Sequence, residues 1–103
     1  MQNKAFHLYI LYSPKIDRFY IGVTSNLEWR IKQHNKGLSP YTRGKGPWYL
    51  VYSEEYPTKR EALARERQIK SWKSREKIIR EFGIDLELLN RQSGPVPSDN
   101  GTG

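Results

Sequence analysis

The sequence of 103 residues has no cysteine, and this absence excludes disulfide bonds and thiolate metal sites, zinc fingers among them. Long apolar runs are absent as well. The longest, residues 8–12 and 48–52, are five residues each, far shorter than a membrane span or the apolar core of a signal peptide. We therefore expect a soluble, cytoplasmic protein.

Acidic residues are few relative to basic ones, since 11 Asp and Glu face 18 Lys and Arg, for a formal charge of +7. This excess favours an anionic partner, either nucleic acid or an acidic membrane surface, and charge alone does not choose between them. The excess is concentrated in residues 59–80, which hold nine basic and three acidic side chains. That segment is either a solubilising face or, together with the loop cations Arg43 and Lys45, a surface that follows a phosphate backbone.

The length of the chain supports one domain with a modest core. We place this domain at residues 1–91. From residue 92 onward the chain is made almost entirely of Gln, Ser, Gly, Pro, Asn, Asp and Thr, which bury too little apolar surface to offset the entropy of ordering. We expect residues 92–103 to form a disordered tail.

The first half of the chain predicts a β-hairpin followed by a helix. Residues 6–12 and 19–24 are rich in strand-forming side chains and flank a turn-forming stretch. If the strand register brings the appropriate faces together, the hydroxyls of Tyr9 and Tyr20 share one site. Ser25 and Glu28 fit a capping box, which predicts a helix over residues 26–36.

The second half predicts a loop over residues 37–47, a strand over 48–52 and two helices. Thr58 and Glu61 repeat the capping-box pattern and open a helix that extends to about Trp72. Ser74 caps a further helix over residues 75–82, which Gly83 ends. The predicted order of elements is ββαβαα, an α/β domain.

Glu66 is an informative residue because the helical period places its carboxylate within the apolar stripe formed by Ala62 and Ile69. An ionised carboxylate on such a face requires a cation. One candidate is Lys70, four residues later on the same helix. The other is a divalent metal, since Mg²⁺ accepts one carboxylate together with water ligands.

Four further side chains carry the chemistry that phosphoryl transfer requires. Tyr9 and Tyr20 are either packing residues or a general base, which needs a nearby cation because the ordinary pKa of tyrosine is near 10. Arg30 is either a solvated helix charge or a fork that grips phosphate. His34 lies one turn after Arg30, where a histidine also favours the negative end of the helix dipole.

These residues and their spacing resemble the GIY-YIG endonuclease superfamily, which includes the excinuclease nuclease module, phage homing endonucleases and small single-domain bacterial proteins. The match covers about residues 5–83. The segments that carry it are His7-Leu8-Tyr9, Tyr20-Ile21-Gly22, Arg30 ten residues later, His34, Tyr41-Thr42, Pro47, Leu50-Val51-Tyr52, Ala62-Leu63-Ala64-Arg65-Glu66 and Glu66-Arg67-Gln68-Ile69-Lys70-Ser71-Trp72. The departure from the family pattern is His7, which stands where the first motif has glycine.

The resemblance implies a small three-stranded antiparallel sheet flanked by helices, and a one-metal hydrolysis of DNA. Tyr9 or Tyr20 would be the base, Arg30 would contact the phosphate, His34 would lie beside them, and Glu66 would hold Mg²⁺ or Mn²⁺. Larger members depend on a separate DNA-binding domain for target choice, and this sequence contains none. We therefore expect cleavage that is structure-selective or weakly specific, in DNA repair or processing.

Two alternatives stay open: a nucleic-acid-binding module without hydrolytic activity, and a component that lends this domain to a larger repair complex. The expected partner in every case is nucleic acid, DNA in preference to RNA, and no membrane; a protein partner would supply target specificity. The expected nucleic-acid contacts are Lys32, Arg43, Lys45, Arg65, Lys70 and Lys73.

Overall fold

The computed structural model describes residues 4–93, which form three strands and four helices. The strands are β1 (Phe6–Ser13), β2 (Arg18–Thr24) and β3 (Tyr49–Tyr56). The helices are α1 (Leu27–Asn35), α2 (Lys59–Ser71), α3 (Arg75–Phe82) and α4 (Leu86–Ser93). No helix in this part of the chain is long and apolar enough to cross a bilayer.

The predicted order ββαβαα is confirmed as far as α3, and α4 is an addition that the sequence pattern did not predict. This short helix begins after Asp85, whose Oδ1 accepts a hydrogen bond from the Leu88 amide at 3.1 Å. Its Leu86 and Leu89 pack against the core. The helix ends at Ser93, two residues into the expected tail, and residues 94–103 lie outside the described part of the chain.

The strands form one antiparallel sheet in the order β2-β1-β3. This confirms the predicted α/β fold with a small three-stranded antiparallel sheet. A four-residue turn joins β1 to β2 and sets the pairing of Ser13 with Arg18. The same register places Tyr9 opposite Gly22 and Leu11 opposite Tyr20. Residues that pair across antiparallel strands point to the same face, so the two tyrosines share a face of the sheet.

Strand β3 is longer than predicted and runs on to Tyr56. It pairs with β1 through a bulge, because Ile10 lies opposite Tyr52 while Leu11 lies opposite Leu50. The additional residues 53–56 pair with residues 6–9 of β1. Within them, the half-buried Glu54 forms an ion pair with Arg65 of α2 at 3.0 Å.

Helices cover both faces of the sheet and create two apolar clusters. We call the larger one the α2-side core; its buried residues are Leu8, Ile10, Ile21, Ile69, Ile78 and Ile84. The α1-side core is smaller and is aromatic in character. It is formed by Tyr9, Leu11 and Trp48, against which Tyr20, Leu27 and Ile31 pack. Helix α1 therefore lies on the tyrosine face, whereas α2 and α3 contribute to the opposite core.

Side-chain caps define the helix starts, with one correction to the sequence prediction. Asn26, not Ser25, caps α1, since its side chain accepts a hydrogen bond from the Trp29 amide at 3.1 Å. Thr58 and Ser74 cap α2 and α3 as predicted. Gly83 ends α3 in the left-handed conformation, also as predicted.

Candidate active site

Tyr9 occupies the centre of the site and lies almost entirely inside the protein. Its ring crosses the sheet over Gly22, and a Cβ atom added at Gly22 would lie 2.6 Å from the Tyr9 hydroxyl and 2.7 Å from Cζ. Such separations are impossible without movement of the ring. The Tyr-Ile-Gly motif therefore requires glycine at this position, because any side chain there would collide with the tyrosine of the neighbouring strand.

A chain of buried hydrogen bonds runs away from the Tyr9 hydroxyl. The Tyr9 hydroxyl lies 2.9 Å from His34 Nε2, and His34 Nδ1 lies 2.8 Å from the Thr42 hydroxyl. Thr42 Oγ1 in turn lies 3.5 Å from the Ser39 carbonyl oxygen, which can only accept. All contacts are satisfied when Tyr9 donates to Nε2, Nδ1–H donates to Thr42, and Thr42 donates to Ser39.

Burial controls the protonation of this chain. It raises the pKa of Tyr9 to about 12, against the opposing influence of the nearby Arg30 guanidinium. Burial, and to a smaller extent the charge of Arg30, lower the pKa of His34 to about 4. At neutral pH the pair therefore consists of a protonated phenol and an uncharged imidazole, which matches the hydrogen-bond directions above.

Tyr20 is the accessible tyrosine of the site. Its ring lies 4.8 Å from that of His34 and 6.2 Å from that of Tyr9, centroid to centroid. Tyr20 is only half-buried, and its hydroxyl makes no hydrogen bond to any residue within 4–93. Of the two tyrosines that the sequence singled out, Tyr20 alone offers a free hydroxyl to solvent or to a ligand.

Arg30 supplies the positive charge nearest to this cluster. It lies on α1, one turn before His34, and its charge affects the pKa of both Tyr9 and His34. Its Nη1 donates to Gln33 at 2.9 Å, so the guanidinium is oriented within its own helix while other donors stay available. His34, one turn after Arg30, reaches the hairpin through its hydrogen bond with Tyr9.

Glu66 on α2 is largely buried and meets the partner that the helical spacing predicted. Its Oε2 lies 2.8 Å from Lys70 Nζ, with side-chain exposures of 18% for Glu66 and 55% for Lys70. The carboxylate is close enough that its charge contributes to raising the pKa of Tyr9. This influence on the pKa of Tyr9 is the smallest of those acting on it, after burial, Arg30 and Tyr20.

The donor set around Glu66 fits a magnesium-type ion and does not fit a fully protein-ligated one. Within residues 4–93 no three carboxylate, histidine or cysteine side chains come together in a way that would hold a metal. Mg²⁺ is commonly bound by one or two carboxylates, with waters and substrate phosphates completing the shell. Glu66 satisfies that requirement if the flexible, exposed Lys70 moves aside.

The cations that we expected to contact nucleic acid occupy different surroundings. Lys32, Lys70 and Lys73 are exposed on or beside α1 and α2. Arg43 and Lys45 are exposed on the loop before β3, which is fixed to β1 by a hydrogen bond from the Ser13 hydroxyl to the Lys45 carbonyl.

Arg65 is placed differently from these cations. Its Nε and Nη2 fork onto the two oxygens of Glu54 at 3.0 and 3.1 Å, and its guanidinium lies over the rings of Trp72 and Phe82. The hydroxyls of Tyr52 and Tyr56 also donate to Glu54. The Arg65 guanidinium is thus engaged in intramolecular contacts with Glu54, Trp72 and Phe82.

Two residues of the site were not singled out by the sequence as functional positions. Thr42 is buried and holds His34 from the side opposite Tyr9. Gly22 provides the space for Tyr9. The signal for Gly22 was available in the turn length, because pairing Ser13 with Arg18 necessarily pairs Tyr9 with Gly22. Thr42 belongs to the Tyr41-Thr42 segment that carries the family resemblance, but its contact with His34 depends on the path of the loop and was not predictable.

Comparison with known proteins shows the family to which this chain belongs. A family model described as the GIY-YIG catalytic domain matches residues 5–78. The chain belongs to the GIY-YIG nuclease domain family, and the resemblance inferred from its motifs is confirmed. Its relatives carry the designation UPF0213.

Among these relatives, a UPF0213 protein of Clostridium perfringens is 48% identical over 73 residues, which cover 70% of this chain and 77% of the relative. A UPF0213 protein of Limosilactobacillus reuteri is 35% identical over 96 residues, which cover 88% of this chain and 99% of the relative. A solution NMR structure of a UPF0213 protein from Bacillus halodurans is 35% identical, with a TM-score of 0.46 and 88% coverage of each chain.

Proposed function

We propose that this domain is a metal-dependent endonuclease that hydrolyses phosphodiester bonds of DNA. The observation that carries the proposal is the cluster that Tyr20, the Tyr9–His34 pair and Arg30 form on the α1 side of the small sheet, together with the largely buried carboxylate of Glu66 on α2. Membership of the GIY-YIG nuclease domain family supports a nucleic-acid substrate. The family and the charge of +7 favour DNA or RNA over other anions, and the resemblance favours DNA.

The accessibility of the two tyrosines suggests how they divide the work. Tyr20, which is half-buried and whose hydroxyl has no partner within residues 4–93, orients the attacking water and takes its proton when in the phenolate form. Tyr9 is a positioning residue, since its hydroxyl is buried against His34 and its pKa of about 12 opposes ionisation. Arg30 holds the scissile phosphate and stabilises the negative charge that develops on it.

Glu66 is the residue that would hold Mg²⁺ or Mn²⁺. The bound ion would polarise the phosphate and stabilise the leaving oxygen. Lys70, released from Glu66, would then be free to contact a neighbouring phosphate, as would Lys32, Arg43, Lys45 and Lys73 on the same exposed surfaces. Arg65 does not join this set, because its guanidinium forks onto Glu54.

A second function, binding of nucleic acid without cleavage, is favoured by one specific observation. The Glu66–Lys70 ion pair at 2.8 Å satisfies the carboxylate without any metal. In that case the basic surface would suffice for function, either alone or within a larger repair complex. The structure-selective or weakly specific cleavage that we propose, and its place in DNA repair or processing, both depend on the first function.

The decisive experiment measures cleavage by the purified chain of branched, nicked and single-stranded DNA, with Mg²⁺ or Mn²⁺ and with a chelator. Glu66→Gln should reduce cleavage by orders of magnitude while preserving DNA binding, because it removes charge and keeps shape. Glu81→Gln, an exposed change on α3, is the matched control and should leave cleavage unchanged. Metal-independent cleavage, or an active Glu66→Gln variant, would refute the proposal. DNA binding without cleavage by the wild type would favour the binding module.

A further inference from the structure

A cavity of about 560 Å³ lies along β2, between that strand and the junction of α2 with α3. Its volume is within the roughly 300–1,000 Å³ range of small-molecule sites. The side chains that form its floor are apolar: Phe19, Ile21, Ile69 and Ile78. The polar side chains that line the cavity are mostly cationic: Arg18, Lys70, Lys73 and Arg75, together with Asp17 and Ser74. We call this cavity the β2-edge pocket.

Two of the four cationic side chains around the β2-edge pocket form ion pairs, and two do not, within residues 4–93. Arg75 pairs with Asp17 at 2.6 Å, and Lys70 pairs with Glu66. The other two, Arg18 and Lys73, are exposed and form no ion pair with any residue in the described range 4–93. A ligand that fits this rim should therefore carry negative charge on a group that reaches Arg18 and Lys73 together.

A ligand that fits the floor of the pocket should be flat and largely apolar, with polar groups along its edge. Within the described chain, β2 lies at one edge of the sheet, so the backbone groups on its outer side have no partner strand. The pocket runs along residues 17–21 of this edge, beside the side chains of Ile21 and Ile69. A nucleobase has this character, because its faces are apolar and its edge carries hydrogen-bond donors and acceptors.

We propose that the β2-edge pocket binds one unpaired nucleotide of a nucleic-acid strand, with the base on the apolar floor and a phosphate between Arg18 and Lys73. Tyr20 also borders the pocket, and although its ring packs on the other face of the sheet, the nucleotide would lie along the same strand that carries the tyrosine. The assignment of this nucleotide to a position beside the cleaved bond rests on the proposed function. A base that is paired and stacked in a duplex cannot enter, so the pocket selects unpaired nucleotides at the site of cleavage.

The binding test uses the wild-type chain with methyl-labelled isoleucine, observed by NMR. The probe is a deoxythymidine bisphosphate with one phosphate on each side of the sugar, which contains no phosphodiester to cleave. Its addition should shift the methyl signals of Ile21, Ile69 and Ile78, and leave unmoved that of Ile31, which packs in the α1-side core. Inorganic phosphate should leave all four unmoved. Unchanged methyl signals of Ile21, Ile69 and Ile78 on addition of the probe would overturn the proposal, as would equal shifts with inorganic phosphate alone.

A pair of double variants tests the rim. Arg18→Gln with Lys73→Gln should weaken binding of the probe by roughly tenfold, the effect of losing two partly exposed charge contacts. Arg60→Gln with Arg67→Gln removes the same charge from exposed α2 positions that do not line the pocket, and should leave binding unchanged. An equal loss in both double variants would mean that only net charge matters and would overturn the proposed contacts.

The experiments can refute the nuclease function and the nucleotide-binding pocket independently of each other. If the floor methyls respond and the wild type cleaves nothing, the nuclease function falls and the pocket stands. If Glu66-dependent cleavage is observed and the floor methyls are silent, the pocket falls and the nuclease function stands. Where both hold, replacing the unpaired nucleotide at the cut by an abasic residue should slow cleavage of a flap substrate. An equal rate on both flaps would overturn the assignment of that nucleotide to the pocket.

Discussion

The hydroxyl of Tyr9 and Nε2 of His34 meet at 2.9 Å inside the protein, where each residue is only 1% exposed. The tyrosine of the first motif is thus engaged by an uncharged histidine and is withdrawn from solvent. The tyrosine of the second motif lies beside this pair with its hydroxyl free. Two tyrosines on one face of a sheet therefore have different environments, and different consequences follow from changing each one.

Tyr20→Phe and Tyr9→Phe should separate catalysis from stability. Removing the Tyr20 hydroxyl should lower cleavage by orders of magnitude and leave the thermal midpoint nearly unchanged, because that hydroxyl has no partner in the described fold. Removing the Tyr9 hydroxyl leaves His34 Nε2 buried without a partner and should cost about 1–3 kcal/mol of unfolding free energy. Single-turnover rates and thermal unfolding of both variants check this. The reverse pattern would assign the base to Tyr9.

His34 should make stability depend on pH. Its folded pKa of about 4 is lower than its ordinary value of 6.5, so the unfolded chain binds more protons between these values. The stability associated with neutral His34 is complete above about pH 6.5 and should fall by roughly 3 kcal/mol as pH decreases through the folded pKa. Urea unfolding across this range should show a flatter profile for His34→Gln, which does not titrate. Parallel profiles would contradict the shift.

Gly22→Ala should damage the site through crowding, since the new Cβ would lie within 3 Å of the Tyr9 hydroxyl and Cζ. We expect a loss of about 1–3 kcal/mol in unfolding free energy, together with reduced cleavage because Tyr9 must leave His34. A double-mutant cycle with Tyr9→Leu checks the cause. The alanine should cost much less in the Tyr9→Leu background, where the ring is gone. Additive effects would place the damage in the backbone instead.

Glu54→Gln should destabilise the fold without removing any group proposed to act in cleavage. Burial alone would raise the pKa of the Glu54 carboxyl, but hydrogen bonds from Arg65 and two tyrosines outweigh it and hold the pKa below its ordinary value. Loss of this charge leaves the partly buried Arg65 without its ion pair, at a cost of about 2 kcal/mol. The neighbouring exposed change Glu55→Gln is the control. Similar thermal midpoints for the two variants would show that the cluster contributes little.

Affinity for DNA should fall steeply with salt, by roughly 0.9 in the log–log slope for each phosphate contact on a duplex. Lys32→Gln should reduce this slope by about one contact, because Lys32 is exposed on α1. Arg65→Gln should leave the slope unchanged and lower stability instead, since its guanidinium forks onto Glu54. Fluorescence anisotropy titrations without divalent metal measure both. A reduced slope for Arg65→Gln would return that residue to the DNA-contacting set.

The parts of this fold that local pattern determines were predictable. Strand periodicity indicated that Tyr9 and Tyr20 share a face if the register allows it, and helical spacing gave Lys70 as one of two candidate cations for Glu66. The interior position of His34 was not predictable, because its burial depends on a loop that folds back to bring Thr42 against it.

The intramolecular partner of Arg65 was not predictable for a similar reason. It lies on a helix in a basic run, which suggested an exposed phosphate contact. Its acidic partner, Glu54, lies on a different element, eleven residues earlier in the chain. Periodicity within one helix carries no information about such a partner, and the same holds for the path of the loop around His34.

The position of β1 in the sheet has a consequence for how the chain folds. β1 is the first strand in sequence and the middle strand in space, so its two edges are paired at different times. The β1–β2 hairpin needs only a four-residue turn, whereas β3 follows only after α1 and the loop. Until β3 arrives, the second edge of an apolar strand is open to other chains. Hydrogen exchange during refolding should therefore protect the β1–β2 amides before those of β3.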